Sequence, residues 1–134
     1  GDIVVFYNPN NYTKKSYLDK FIYSLKIGVF MQNDISSEAA YIKRIIGLPG
    51  DQIDIDNLGN IYRNNQLLTF EGILNETYSN NENYTIPENN FFLMGDNRAN
   101  SQDSRTFGYV PFENLIGKAI YKVYPYENIG SLND

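Results

Sequence analysis

Apolar and polar positions divide the chain into short runs with two different periods. Ile3, Val4, Val5 and Phe6 form an unbroken apolar run stopped by Asn8-Pro9-Asn10-Asn11, which predicts a short buried strand. Over residues 16–32, Tyr17, Leu18, Phe21, Ile22, Leu25, Val29 and Phe30 recur at helical spacing, with Asp19, Lys20 and Lys26 largely off that stripe. This predicts an amphipathic helix, with Ser16 as N-cap and Gly28 weakening its far end. Residues 39–46 are apolar around Lys43 and Arg44 and read as a strand. Gly47-Leu48-Pro49-Gly50-Asp51 is a turn, and residues 52–56 alternate with period two, as a half-buried strand does. Asn57-Leu58-Gly59-Asn60 turns the chain back, and Asn64-Asn65 predicts a tight hairpin between 61–63 and 66–68. The polar, Asn- and Glu-rich residues 71–90 read as a surface excursion with little secondary structure. A strand over 90–94, a polar loop over 95–108 and a closing strand over 115–124 complete the pattern, which contains no internal repeat.

Composition narrows the class. A chain of 134 residues suits one domain with a real core. Its 12 Tyr and 8 Phe favour strands, so the expected fold is mainly β, antiparallel sheets coiled into a compact, partly barrel-like domain with one helix inserted. The absence of His and Cys excludes Ser-His-Asp and Cys-His catalysis, ordinary zinc sites and disulfides. A covalent mechanism here must take its base from Lys, Asp, Glu or Tyr. The net charge of −5 argues against a nucleic-acid partner. No apolar run approaches the roughly 20 residues that span a bilayer.

Two segments concentrate reactive side chains. Lys43 and Arg44 are consecutive in a strand, so their side chains point to opposite faces and one of them faces inward. A lysine set against apolar surface gives up its proton more easily and can serve as a base, whereas most strand lysines are simply solvated. The loop after Gly95 carries Asp96, Asn97, Arg98, Asn100, Ser101, Asp103, Ser104 and Arg105. Such density can lock an irregular loop through Arg-carboxylate forks, or it can be ordinary surface ion pairing. The arginines and the missing closing Glu disfavour a calcium loop.

Taken together, Gly1-Asp2-Ile3-Val4-Val5-Phe6, Tyr41-Ile42-Lys43-Arg44-Ile45-Ile46-Gly47-Leu48-Pro49-Gly50-Asp51 and Gly95-Asp96-Asn97-Arg98-Ala99-Asn100-Ser101-Gln102-Asp103-Ser104-Arg105 with Gly108 resemble three ordered boxes of bacterial type I signal peptidases, the membrane-anchored Ser-Lys proteases. The tail from Val110-Pro111-Phe112 to Tyr124-Pro125 is similar to the family's closing strand. The resemblance implies that Lys43 is the general base and that Ser101 holds its amine in place. It implies that Asp96 pairs with Arg44 and Asp103 with Arg105, bracing the loop under Lys43. Glycines 47, 50 and 95 are expected in tight turns around that support. Ala39, Ala40, Tyr41 and Ile42 would lie along an extended substrate, a signal-peptide-bearing preprotein. No metal or cofactor is implied. The location implied is the cell membrane, with the catalytic domain on its extracytoplasmic face.

Two departures from the family pattern carry expectations of their own. The family's serine lies in a Ser-x-Met-Pro box upstream of the first of these segments, and no serine here has that context. The expectation is a single peptidase domain over 1–134, trimmed of its membrane anchor and nucleophile box and therefore inactive alone. Residues 8–40 would be a helical insertion, and 57–90 a peripheral hairpin and loop. The insertion suggests a specialised member, for instance one processing pilin precursors. The alternatives are a signal-peptidase-like chaperone of surface-fibre assembly that has lost catalysis, and a self-cleaving repressor domain. The three complete boxes and the lack of a DNA-binding segment argue against the second.

Overall fold

The computed structural model describes residues 1–10, 40–73, 80–119, 121–122 and 130–131. The helix predicted over 16–32 lies outside the described residues. The chain forms β1 (Ile3–Tyr7), β2 (Ala40–Gly47), β3 (Gln52–Ile55), β4 (Ile61–Arg63), β5 (Gln66–Leu68), β6 (Glu82–Thr85) and β7 (Asn90–Met94). After a 3-10 turn at Arg98–Asn100 come α1 (Ser104–Phe107), β8 (Val110–Pro111), a second 3-10 turn at Phe112–Asn114, β9 (Leu115–Lys118), β10 (Tyr121–Lys122) and β11 (Gly130–Ser131).

These strands build a five-stranded antiparallel sheet in the order β8-β7-β2-β1-β9 and a four-stranded one in the order β5-β4-β3-β6, with β10 and β11 as a separate pair. The mainly β expectation holds, but among the described residues the sheets do not close into a barrel. Among the described residues no helix is long and apolar enough to cross a membrane.

Alternation along β2 and β7 gives the larger sheet two apolar faces. Ile46, Phe92 and Met94 join Ile53, Ile55, Ile61 and Ile86 of the smaller sheet in one core. On the opposite face Val4, Phe6, Leu93 and Val110 form a second core, with Tyr41, Ile45 and Phe107 against it. A strand buried on both faces reads as a nearly continuous apolar run, which is what β1 and β7 do.

Local chemistry accounts for the turns. Asn64 and Asn65 take φ values of 51° and 66°, the left-handed conformations that a two-residue hairpin requires and that Asn tolerates. Gly50 has a φ of 82°, and the Asp51 carboxylate accepts the Leu48 N–H at 2.9 Å to close the turn after β2.

Two sequence expectations need correction. Residues 71–90 were expected to hold little secondary structure, yet β6 pairs with β3 there. Asn83 and Thr85 are exposed, while Tyr84 on the other face stacks on Phe92 with ring centroids 4.4 Å apart. One inward aromatic outweighs the composition of its neighbours. The closing strand over 115–124 is also not continuous, because β9 ends at Lys118 and β10 belongs to a different pair.

Candidate active site

β2 carries the candidate lysine, and its pairing decides what surrounds it. Lys43 lies opposite Val4 on β1, and Arg44 lies opposite Met94 at the end of β7. One step further along that register, Lys43 faces Gly95. The Lys43 side chain therefore shares a face with Val4 and the second core, while Arg44 goes to the first. Lys43 makes no ion pair among the described residues.

Gly95 is where the site converges. A Cβ placed on it would overlap Ser101 Oγ, lie 2.7 Å from Ser101 Cβ and stand 3.4 Å from Lys43 Nζ. The amine and the hydroxyl thus both approach the bare backbone of Gly95. Ser101 Oγ is buried and has no hydrogen-bond partner at bonding geometry among the described residues. Beside an amine it is a ready donor or acceptor for that amine.

Steric space, rather than turn geometry, is what demands glycine at two of the three expected turn positions. Gly95 leaves room for Ser101 and Lys43, and Gly47 sits within β2 with Ile53 and Ile86 side chains 3.0 Å from where a Cβ would be. Only Gly50 of the three needs its positive φ. Gly95→Ala is expected to lower stability by about 1–3 kcal/mol through overpacking. The check is a fall in urea midpoint at unchanged m-value.

The loop from Gly95 to Arg105 is held by buried carboxylate chemistry. Asp103 is fully buried, with Oδ2 accepting the Gly95 N–H at 3.0 Å and Arg105 Nη2 at 2.8 Å. Its Oδ1 accepts Arg105 Nε at 2.9 Å and, as the cap of α1, the Arg105 N–H at 3.2 Å. Burial pushes the Asp103 carboxyl up, but the Arg105 hydrogen bonds, the Gly95 N–H and, last, the Ser101 hydroxyl outweigh it, so the group titrates below the usual aspartate value. Ser104 Oγ accepts the Leu93 N–H at 2.9 Å and ties the loop back to β7.

Arg44 forms the second pairing. Its Nε and Nη2 donate to the two Asp96 oxygens at 2.8 and 2.7 Å, a bidentate fork. The Asp96 hydrogen bond raises the Arg44 pKa above its ordinary value, against burial. Two further residues belong to this neighbourhood although the sequence assigns them no task. Buried Arg98 donates from Nε to the Gly95 carbonyl at 3.1 Å, and its own carbonyl accepts Arg105 Nη2 at 2.8 Å. Phe70 places its ring 5.1 Å from the Arg44 guanidinium carbon. Arg98 lies inside a recognisable motif, but nothing in the sequence connects Phe70 to Arg44.

The expected substrate segment is partly visible. Ala39 lies outside the described residues. Ala40 and Ile42 are exposed, and Tyr41 packs against Phe6 with centroids 6.0 Å apart. Over Ala40 to Lys43, β2 pairs with β1 on one side and, among the described residues, with no strand on the other, because β7 ends opposite Arg44. The Ile45 N–H donates to the Asp2 carbonyl at 2.8 Å. By alternation, the backbone groups of Ala40 and Ile42 face the unpaired side. Among the described residues no cluster of Asp and Glu is disposed to hold a metal ion.

A lysine amine beside a buried serine hydroxyl, at the open end of a strand and backed by two Arg-carboxylate pairs, is an arrangement fitted to a lysine-assisted hydrolase. The family model described as "Signal peptidase, peptidase S26" matches residues 1–124, and the chain belongs to that family. It is 35% identical over 132 residues to the "Probable signal peptidase I-1" of Synechocystis sp., covering 98% of this chain and 58% of that protein. It is 37% identical over 101 residues to the "Signal peptidase I" of Leptolyngbya laminosa, covering 75% and 49%. The chain thus spans about half the length of the curated relatives it matches. Its fold is similar to that of a signal peptidase I from Enterococcus faecalis, with a TM-score of 0.61 at 24% identity over 88% of this chain and 92% of that one.

Proposed function

We propose that this chain is the lysine-bearing part of a Ser-Lys endopeptidase that removes signal peptides from exported preproteins. The observation that carries the reading is the convergence of Lys43 Nζ and Ser101 Oγ over Gly95, on the apolar face of the larger sheet. Lys43 takes the proton of a serine hydroxyl as that oxygen attacks the scissile carbonyl. It returns the proton to the departing amine and then activates the water that releases the acyl group. Ser101 orients the amine. Asp96 with Arg44, and Asp103 with Arg105, keep the loop rigid beneath it. A substrate strand adds along Ala39 to Ile42 and pairs with the open backbone of Ala40 and Ile42. The steps call on no metal or cofactor.

The nucleophilic serine comes from outside these 134 residues. Ser101 Oγ is buried from solvent, and Ser104 Oγ already accepts the Leu93 N–H. The natural-length protein is anchored in the cell membrane with this domain on the extracytoplasmic side. The test is incubation of that protein in detergent with signal-peptide-bearing precursors, pilin precursors among them, followed by mass spectrometry of the products. Cleavage after a small residue, absent when the 134-residue chain is used alone, is the expected result. Binding without cleavage would overturn the reading in favour of a chaperone of surface-fibre assembly. Cleavage by the 134-residue chain alone would overturn the placement of the serine.

A further inference from the structure

The Arg44 fork is covered from a direction that the sequence does not connect with it. Phe70 follows β5 at the margin of the smaller sheet and packs against the first core. Its ring lies over the Arg44 guanidinium at 5.1 Å. The remaining nitrogen of that guanidinium, Nη1, donates to the Gly1 carbonyl at 3.0 Å. Gly1 is itself pressed against both side chains: a Cβ there would stand 2.5 Å from Phe70 Cε1 and 3.2 Å from Arg44 Cδ. Arg44 therefore joins three pieces of chain, namely β2, the loop carrying Asp96 and the segment entering β1, while Phe70 closes the fourth side. A ring over a guanidinium attracts it through the ring quadrupole and keeps water from its face.

We infer that Phe70 is a positioning residue for the lysine: by holding the Arg44 guanidinium between its ring, Asp96 and the Gly1 carbonyl, it fixes the strand and loop that present Lys43. The inference rests on the proposed peptidase function for its kinetic consequence, but its geometric part stands apart from it. Arg44 is adjacent to Lys43 in β2, and Asp96 is adjacent to Gly95, over which the amine sits. Loosening the fork loosens both walls of the site at once. Gly1 is glycine for the same reason, because any side chain there displaces the ring.

The experiment uses the natural-length protein with Phe70→Leu, with Gly1→Ala, and with pentafluorophenylalanine in place of Phe70. The fluorinated ring keeps the shape while removing the negative face. All three are expected to lower kcat about three- to tenfold per folded molecule at unchanged KM, the rate equivalent of a lost cation–π contact. Phe70→Leu combined with Gly1→Ala is expected to cost little more than either alone. A fluorinated protein with wild-type kcat overturns the inference, and so does an additive double variant. If the wild-type protein cuts no precursor, the peptidase reading fails, and the inference is decided by the Arg44 side-chain NMR signal. An upfield ring-current shift of the Nε–H proton that disappears in Phe70→Leu supports the contact; its absence in the wild type overturns it.

Discussion

Replacing Lys43 by Met in the natural-length protein is expected to lower precursor cleavage about 10³-fold or more, the scale of a lost general base. The loss should leave the fold intact. Met matches the lysine stem in length and suits the apolar face shared with Val4 and Ile45. Lys43 has no ion pair to break among the described residues, so the melting temperature should move by only a few degrees. Lys43→Arg sharpens the test. Arginine keeps the positive charge but stays protonated, so it cannot accept the serine proton. If charge alone were needed, Arg would rescue cleavage. Under the proposed mechanism both variants are equally inactive, as mass spectrometry of the products would record.

The second large effect concerns stability. Asp103→Asn keeps the shape of a side chain with no exposed surface, but leaves Arg105, whose side chain is only 16% exposed, without its counter-charge. Removing one partner of a buried pair costs about 3–5 kcal/mol. The Gly95 N–H also loses a charged acceptor, so the damage reaches the site directly. Urea denaturation at neutral pH should register the loss. The pH dependence follows from the direction of the shift. Asp103 titrates below its ordinary 3.8 in the folded state. Its contribution is therefore fully present above that pH and disappears as the pH falls through the lower folded-state value. The wild type and Asp103→Asn should accordingly approach each other in acid and differ most near neutrality. A difference that stayed constant down to the lowest pH would show that the carboxylate charge is not what stabilises the loop.

What could be read in advance follows the range of the interactions involved. The strand over 52–55 and the Asn64-Asn65 hairpin are local matters of alternation and positive φ, and both were legible. The opposite orientation of Lys43 and Arg44 follows from strand geometry alone. β6 was hidden because Glu82, Asn83 and Thr85 resemble a loop, while the Tyr84–Phe92 stacking that secures it is a long-range contact. The glycine requirement at 95 was assigned to a turn, since no local pattern announces a serine arriving six residues later on the same spot. Phe70 illustrates the limit most clearly. It stands in a segment of no recognisable motif, and only the packing of two sheets brings it to Arg44. The Arg-carboxylate pairs were anticipated by resemblance, because the charges of the loop do not by themselves specify their partners.

The pairing of β2 has one more consequence. Lys43 and Arg44 are both basic, both long and consecutive, so a slip of β2 by one residue in one direction would place Arg44 over Gly95 and leave Ile45 against Asp96. Such a misfolded chain would retain its charges and much of its hydrophobic burial, yet carry a group at the site that cannot act as a base. The irregularity between Ile45 and Gly47, where the pairing with Leu93 and Phe92 shifts, helps to exclude that alternative. An extra residue accommodated at one fixed place acts as an index mark, since any slipped pairing must move or lose the bulge. The irregularity in the strand thus proofreads which of two neighbouring cations the sheet presents over Gly95.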